Sequence, residues 1–275
     1  MPKLLIVVPY RDRPEHLKQF IPHLRAYFAR DKRDKELEYR VLVVEQTQGL
    51  PFNLGALRNI GFCLGGDDTD YTCFHDVDYL PIWADYSWAE APTGIVWYGA
   101  EARPIAPGRS NALVVHNLPE FFGGVILTPN DLFRRVNGFA NAYWGWGEED
   151  TDLRARFRAI GVEMQRRRGT FAALPHDHRG FGLDAKVNAI GATNAALYKA
   201  RWENGTHTLR HADGLSALDF KVRDRSKIPD QSPERQADWE MVTVELKGTP
   251  SIEQLTALGA TLGVQNSGPR TKPYN

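Results

Sequence analysis

The sequence predicts an α/β protein built on a mostly parallel, doubly wound central sheet, and three observations predict it. KLLIVVPY (3–10) and YRVLVVEQ (39–46) are continuous, β-branched apolar runs, the pattern of strands buried on both faces. The stretches that follow each run carry helical spacing. The resulting order of strand, helix, strand, helix, strand begins a sheet whose ligands bind at the carboxyl ends of its strands.

Each element follows from local chemistry. KLLIVVPY ends at Pro9 as a central strand. In RPEHLKQFIPHLRAYFARD (13–31), Leu17, Phe20, Leu24 and Phe28 line one helical face. Pro14 falls where a first turn tolerates proline, and Pro22 is expected to bend the helix. YRVLVVEQ is the second strand. FNLGALRNIGFCLG (52–65) predicts a helix that packs through Leu54, Leu57 and Phe62. YTCFHDVDYLP (71–81) predicts one strand running into an acidic turn, and residues 82–118, rich in Trp, Pro and Gly, have no period. GGVILTPNDLFRRVNGF (123–139) predicts a strand and then a short helix, with Asn130 or Asp131 near its cap and Gly138 past its end. TDLRARFRAIG (151–161) predicts an amphipathic helix stopped by Gly161. Residues 179–215 read as a long polar loop with short helical pieces, and WEMVTVEL (239–246) as a late strand. One domain over 1–258 and a loose tail over 259–275 complete the expectation, with no internal repeat.

Composition narrows the function. The 275 residues hold 34 Lys+Arg and 34 Asp+Glu, so no net field draws nucleic acid or anionic lipid. Cys63 and Cys73 are too few for a disulfide framework, and a reducing cytosol is the default. The apolar N-terminal run is too short for a transmembrane segment and lacks the layout of a signal peptide. The chain is expected to be cytoplasmic, at most peripheral to an inner membrane through partners.

Three clusters carry chemistry. Asp76-Val77-Asp78 ends a predicted strand, whose alternation would put both carboxylates on one side, able to hold a hard divalent ion and a ribose hydroxyl. A D-x-D triplet alone is weak: GDDTD (66–70) holds another at Asp68 and Asp70, and a solvated turn is the plain alternative. Position at a strand end favours the ligand. His176-Asp177-His178 in extended chain would point both imidazoles the same way. With Asp78 they offer two nitrogens and one oxygen, a set that suits Mn²⁺ and is compatible with zinc; the plain alternative is an exposed polar turn.

The third cluster is NAYWGWGEEDTDLRARF (141–157). Glu149 and Asp150 open a helix, whose dipole favours a charged carboxylate, and such a group beside a substrate hydroxyl is a general base. Trp144 and Trp146 offer flat faces to the apolar side of a sugar, and the glycines between them let the turn move. Acids also open helices routinely and tryptophans fill cores. Glu148 and Asp152 read that way, with Asp152 able to pair with Arg156 one turn on.

Taken together, PYRDRPEHL, FNLGALRNIGF, FHDVDYLP, FFGGVILTPNDLFRRVNGFANAYWGWGEEDTD and DGLSALDFKV resemble, in that order, the animal β-1,4-galactosyltransferases. The likeness covers roughly residues 4–250, and the H-x-H is most similar to the xylosylprotein branch. The FGGV, NGF and YWGWG-x-ED block is highly specific; the D-x-D is not. The resemblance implies a GT-A (Rossmann-like) fold, Mn²⁺, UDP-galactose as donor, inversion at the anomeric carbon, and a β-1,4 linkage. The acceptor would be a glycan, a glycoside or a lipid-linked saccharide. The animal enzymes carry an anchor and stem ahead of this domain, so the chain is expected to be a bacterial relative.

Position by position, the resemblance gives Pro9, Tyr10, Arg11 and Arg13 to the nucleotide site and packs Phe52 on the uracil. Asp76 would contact the ribose; Asp78, His176 and His178 would hold the metal. Val77, Phe121, Gly123 and Gly124 would complete the donor pocket. Trp146 would close over the donor, Asp150 would take the acceptor proton, and Glu149 would orient the acceptor or the loop.

Three departures stand out. Leu54 occupies a position where the family usually has arginine, and Arg58, one helical turn later, is offered in its place. Phe121 replaces a common donor-pocket tyrosine, removing a hydrogen bond worth about 0.5–1.5 kcal/mol. Thr151 replaces an acceptor-contacting aspartate, which implies a different acceptor. Two rival readings follow. One is a transferase using UDP-GalNAc, UDP-glucose or UDP-glucuronate, which the same metal chemistry would serve. The other is a non-catalytic sugar-nucleotide-binding protein, disfavoured because Asp78 and Asp150 are both present.

Overall fold

β1 (Leu4–Tyr10) is buried along its whole length, as its unbroken apolar run requires of a strand covered on both faces. The computed structural model describes residues 1–30, 37–48, 51–96, 122–174, 185–203, 213–229, 238–248 and 250–264. After β1 come α1 (Pro14–Arg30), β2 (Tyr39–Gln46), α2 (Leu54–Gly65) and β3 (Tyr71–His75), each within two residues of its expected bounds except β3. Asn53 caps α2, its side chain accepting from the Ala56 amide at 2.8 Å.

The predicted strand over 71–81 is two strands. The chain turns at Asp76–Asp78, with the Tyr79 amide donating to the Asp76 carbonyl at 3.2 Å. It then leaves the main sheet as β4 (Tyr79–Ala84). The aperiodic region yields β5 (Thr93–Gly94), and residues 97–121 lie outside the described ones. β6 (Val125–Pro129) and α3 (Asn130–Arg135) follow. The cap position of α3 is Pro129, with no side-chain cap bond, because the Asn130 side chain is engaged elsewhere: it donates to the Gly66 and Thr69 carbonyls and accepts from Thr72.

α4 (Glu149–Ala159) starts two residues before its expected position, and Gly161 follows its end with φ 73°. β7 (Gln165–Arg166) and β8 (Gly169–Ala173) come next. Within the stretch expected to be a loop stands α5 (Ala185–Glu203), 19 residues long. A 3-10 turn (Gly214–Ala217) leads to β9 (Phe220–Lys227) and β10 (Asp238–Leu246). α6 (Ile252–Thr261) closes the described chain, capped by reciprocal bonds between Ser251 and Gln254. The loose tail expected from Gly259 therefore begins inside a helix; residues 265–275 lie outside the described ones.

The main sheet has the order β7-β5-β6-β3-β1-β2-β10-β9. β3, β1, β2 and β10 run parallel, while β6 and β9 pair antiparallel at either side of them. β4 and β8 form a separate antiparallel pair. Alternation along β1 feeds two cores. Leu4, Ile6 and Val8 pack with Phe20, Leu24 and Phe28 of α1 and with Phe171 of β8. Leu5 and Val7 pack with Leu57 and Ile60 of α2, Phe133 of α3, and Leu153 and Phe157 of α4. The carboxyl ends of β1 and β3 thus open between two layers, where residues 9–13 and 76–78 emerge together.

Candidate active site

The first wall is the segment leaving β1. Pro9 and Tyr10 are its buried last residues. The Arg11 guanidinium lies over the Phe52 ring, 5.2 Å from its centroid. Arg13 reaches across to Asp78, Nη1 to Oδ2 at 3.4 Å. The four residues assigned to the nucleotide site therefore stand beside Phe52 and the acidic turn.

That turn is the second wall. The two aspartates lie in the turn between β3 and β4, not side by side on a strand. The Asp76 amide donates to the Gly124 carbonyl at 2.8 Å, and the Gly123 carbonyl accepts from Val125 at 2.9 Å. Gly124 has φ 73°, and a Cβ there would sit 3.2 Å from the Tyr79 ring, so glycine is required. Val77 is buried between them and makes no polar contact through its side chain. Burial, then the Asp76 charge, push the Asp78 carboxyl up to about 7, against the pull of Arg13. A buried carboxylate with a second one two residues away suits a cation.

His176, His178 and Phe121 lie outside the described residues. The segment that leads to the histidines leaves β8 at Leu174, whose amide donates to the Asp78 carbonyl at 2.7 Å. Among the described residues no group of three histidines, cysteines or acids could hold a metal. Asp78 would need the two histidines to complete a Mn²⁺ set of two imidazoles and a carboxylate, which is a fitting donor chemistry for that ion.

The third wall is the start of α4. Burial, then the Asp150 charge, push Glu149 up to about 8, with Arg58 pulling it down. Asp150 is also raised by burial, opposed by Arg58 and by the Thr151 amide, which donates to its Oδ1 at 2.7 Å. Burial thus pushes both acids toward the neutral form, against the helix start that was expected to favour their charge. Arg58, buried within α2, lies between the walls, 2.7 Å from Asp76 Oδ1 and 3.8 Å from Glu149 Oε1.

Asp152, read from sequence as ordinary helix-start charge, is buried. It pairs with Arg156 as expected, at 2.5 Å, and also accepts from the Tyr143 hydroxyl and the Trp202 indole, both at 3.0 Å. Arg156 and Arg201 converge on Asp213 at 2.7 and 2.9 Å. This network ties α4 to α5.

The two tryptophans part company. Trp144 is a core residue, whereas Trp146 is 57% exposed. Gly145, Gly147 and Glu148 all take positive φ, of 76°, 98° and 76°, which makes the turn between them. The Gly145 amide donates to the Phe52 carbonyl at 2.7 Å, so the turn also abuts the first wall. Sequence reasoning missed Asn194, whose side chain bonds the carbonyls of this turn, together with Arg201 and Asp213. Asp213 stood in the quoted DGLSALDFKV stretch; Asn194 carries no motif and lay in a region read as loop.

Comparison with known proteins bears on these walls. A model described as the N-terminal region of glycosyl transferase group 7 matches residues 1–87, and one described as the N-terminal domain of galactosyltransferase matches residues 110–178. β-1,4-galactosyltransferase 5 of Mus musculus is 32% identical over 92% of this chain and 58% of its own. β-1,4-galactosyltransferase 7 of Homo sapiens is 31% identical over 78% of this chain and 63% of its own. The chain thus spans about three fifths of the length of these curated relatives. Among solved structures, the catalytic domain of Drosophila β-1,4-galactosyltransferase 7 with xylobiose superposes with a TM-score of 0.66 at 25% identity, covering 90% of this chain and 95% of that one. The architecture is accordingly the GT-A fold.

Proposed function

Because the chain belongs to the β-1,4-galactosyltransferase family, we propose that it is a Mn²⁺-dependent inverting transferase. It would move galactose from UDP-galactose to a hydroxyl of a glycan, glycoside or lipid-linked saccharide, with β-1,4 linkage. One observation carries the reading: Asp76, in the turn after β3, faces Glu149 and Asp150 of the α4 start across Arg58, while Asp78 of the same turn pairs with Arg13 from the segment after β1. A variant of the Drosophila relative was solved with manganese, UDP-Gal and xylobiose, which makes xylosides natural acceptors to try.

In this reading Phe52 stacks on the uracil and Asp76 accepts from a ribose hydroxyl. Asp78, His176 and His178 would hold Mn²⁺, which when bound supplies positive charge against the leaving diphosphate. Arg11 and Arg13 add further positive charge there. The acceptor oxygen attacks the anomeric carbon from the face opposite the diphosphate. Asp150 Oδ1 is occupied by the Thr151 amide, so Oδ2 takes the acceptor's proton. Glu149 orients the acceptor. Trp146, exposed on its turn, covers the donor and excludes the water that would hydrolyse it.

Two free cysteines fit a reducing compartment, and on that ground we propose a cytoplasmic location. No helix among the described residues is long and apolar enough to cross a membrane.

The test is UDP release from a panel of UDP-sugars, with and without Mn²⁺, using xylosides and N-acetylglucosaminides as acceptors. Release from UDP-galactose that needs metal and acceptor supports the reading. Release from UDP-GalNAc, UDP-glucose or UDP-glucuronate alone keeps the mechanism and replaces the sugar. No release, with no donor binding by calorimetry, overturns the transferase assignment.

A further inference from the structure

Arg58 is 1% exposed, and a buried guanidinium is costly unless its partners are well placed. Its Nη2 donates to Asp76 Oδ1 at 2.7 Å, a charge-assisted bond. Its Nη1 faces Glu149 Oε1 at 3.8 Å, too far for a hydrogen bond, and among the described residues neither Nη1 nor Nε has a hydrogen-bond partner. The plane of the group rests on Phe139, with Cζ 5.1 Å from the ring centroid. α2 itself is fixed against the 137–141 segment: the Asn59 side chain donates to the Phe139 carbonyl at 2.8 Å and accepts from its amide at 2.9 Å. The guanidinium is thus held rigidly between a carboxylate of the β3–β4 turn and a carboxylate of the α4 start.

We propose that Arg58 is a positioning residue that yokes the donor side of the site, through Asp76, to the acceptor side, through Glu149. The role rests on the transferase reading of the site. A planar guanidinium spans two separated carboxylates with a fixed fork of donors, whereas an ammonium gathers its three donors on one nitrogen and does not bridge the same gap. Nη1 lacks a hydrogen bond, so a small inward shift of Glu149 as substrates fill the site would complete the bridge.

Arg58→Lys and Arg58→Met are the test, with steady-state kinetics against donor and acceptor and circular dichroism for folding. Arg58→Met is expected to raise the donor KM about tenfold and lower kcat about a hundredfold, the scale of losing a buried charged partner. Arg58→Lys should recover the donor KM, because one ammonium can hold Asp76, while kcat stays low. A double-mutant cycle separates positioning from general scaffolding and stands even if Arg58→Met does not fold. If Arg58 acts through Glu149, Arg58→Lys adds little to the loss of kcat already caused by Glu149→Gln. Effects on kcat that multiply independently, or an Arg58→Lys enzyme with wild-type kcat, overturn the role while leaving the transferase reading intact. A wild-type chain that turns over no donor sinks both.

Discussion

The side-chain amide of Asn194 donates to the Trp146 carbonyl at 3.0 Å, and the same nitrogen lies 2.9 Å from the Trp144 carbonyl and 3.2 Å from that of Gly147. One buried amide on α5 therefore sets the shape of the tryptophan turn. Replacing it with leucine removes bonds worth about 1 kcal/mol each, including the one that reaches the buried Trp144 carbonyl. Asn194→Leu is expected to lower kcat/KM for the donor roughly tenfold, through a turn that samples other shapes. Donor-induced change in tryptophan fluorescence measures this; an unchanged amplitude and midpoint would refute the anchoring role.

Asp150→Asn keeps the size of the side chain and removes the proposed proton acceptor. Loss of kcat by about 10²–10⁴-fold is expected, the usual share of a general base, with donor affinity by calorimetry little changed. A variant retaining more than a tenth of the activity would move the base elsewhere.

Glu149 contributes a pH dependence of definite sign. Its folded-state carboxyl is raised above the ordinary 4.5 to about 8 by burial and by Asp150. The folded chain therefore holds a proton that the unfolded chain has lost, and Glu149 makes stability fall as pH rises from about 4.5 to about 8. Over such a range the effect is on the order of a few kcal/mol. Glu149→Gln should raise the urea midpoint at pH 9 and leave it nearly unchanged at pH 4, while depressing kcat. Equal shifts at both pH values would exclude this cause.

His75 acts in the opposite direction. Fully buried, with Nδ1 at 2.9 Å from the Asp76 carbonyl and Nε2 at 2.9 Å from the Tyr86 hydroxyl, it is pushed down to about 4, chiefly by desolvation. The unfolded imidazole takes up its proton near 6.5 and the folded one does not. Its contribution is full above about pH 6.5 and is lost as pH falls toward 4, by roughly 3 kcal/mol. NMR of the imidazole should show a neutral ring at pH 5.5. A His75 signal titrating near 6.5 in the folded protein would contradict the burial.

Asp213 receives Arg156 and Arg201, whose charges overcome burial and hold its carboxyl below the usual range. Removing it takes one carboxylate from two largely buried guanidinium groups that also approach Asp152, so Asp213→Ala is expected to cost about 3 kcal/mol in urea unfolding. A loss under 1 kcal/mol would show that solvent replaces the carboxylate.

The parallel strands, α1, α2 and α4 were legible because apolar runs and one-sided helical faces report burial directly. The D-x-D, the helix-start acids and the exposed Trp146 were legible as residue types in a pattern. What escaped has physical reasons. α5 is rich in Ala, so it buries a stripe too weakly apolar to read as periodic. β9 is an edge strand with charged residues on one face and almost no burial, and such strands look like loops. Gly259 suggested a break, yet it sits in α6 because α6 meets α5 there: a Cβ would come within 2.3 Å of Thr193 Oγ1. The acidic turn after β3 was legible, but β4 beyond it was not separated from β3, because tyrosine and leucine continue the strand composition on its far side. Arg58, read only as a spare phosphate contact, could not be placed between two carboxylates without the fold.

The proposed base and the tryptophan turn hang on a single helix. Asp150 lies in the first turn of α4, Asp152 beside it is linked to α5 through Trp202, and Asn194 of α5 holds the tryptophan turn. For anyone engineering new acceptor preference, α5 is therefore a poor place to diversify freely. Libraries there should keep Asn194, Arg201 and Trp202 fixed, or randomise them jointly with residues 144–148. Natural variants are expected to obey the same linkage, changing these positions together or not at all.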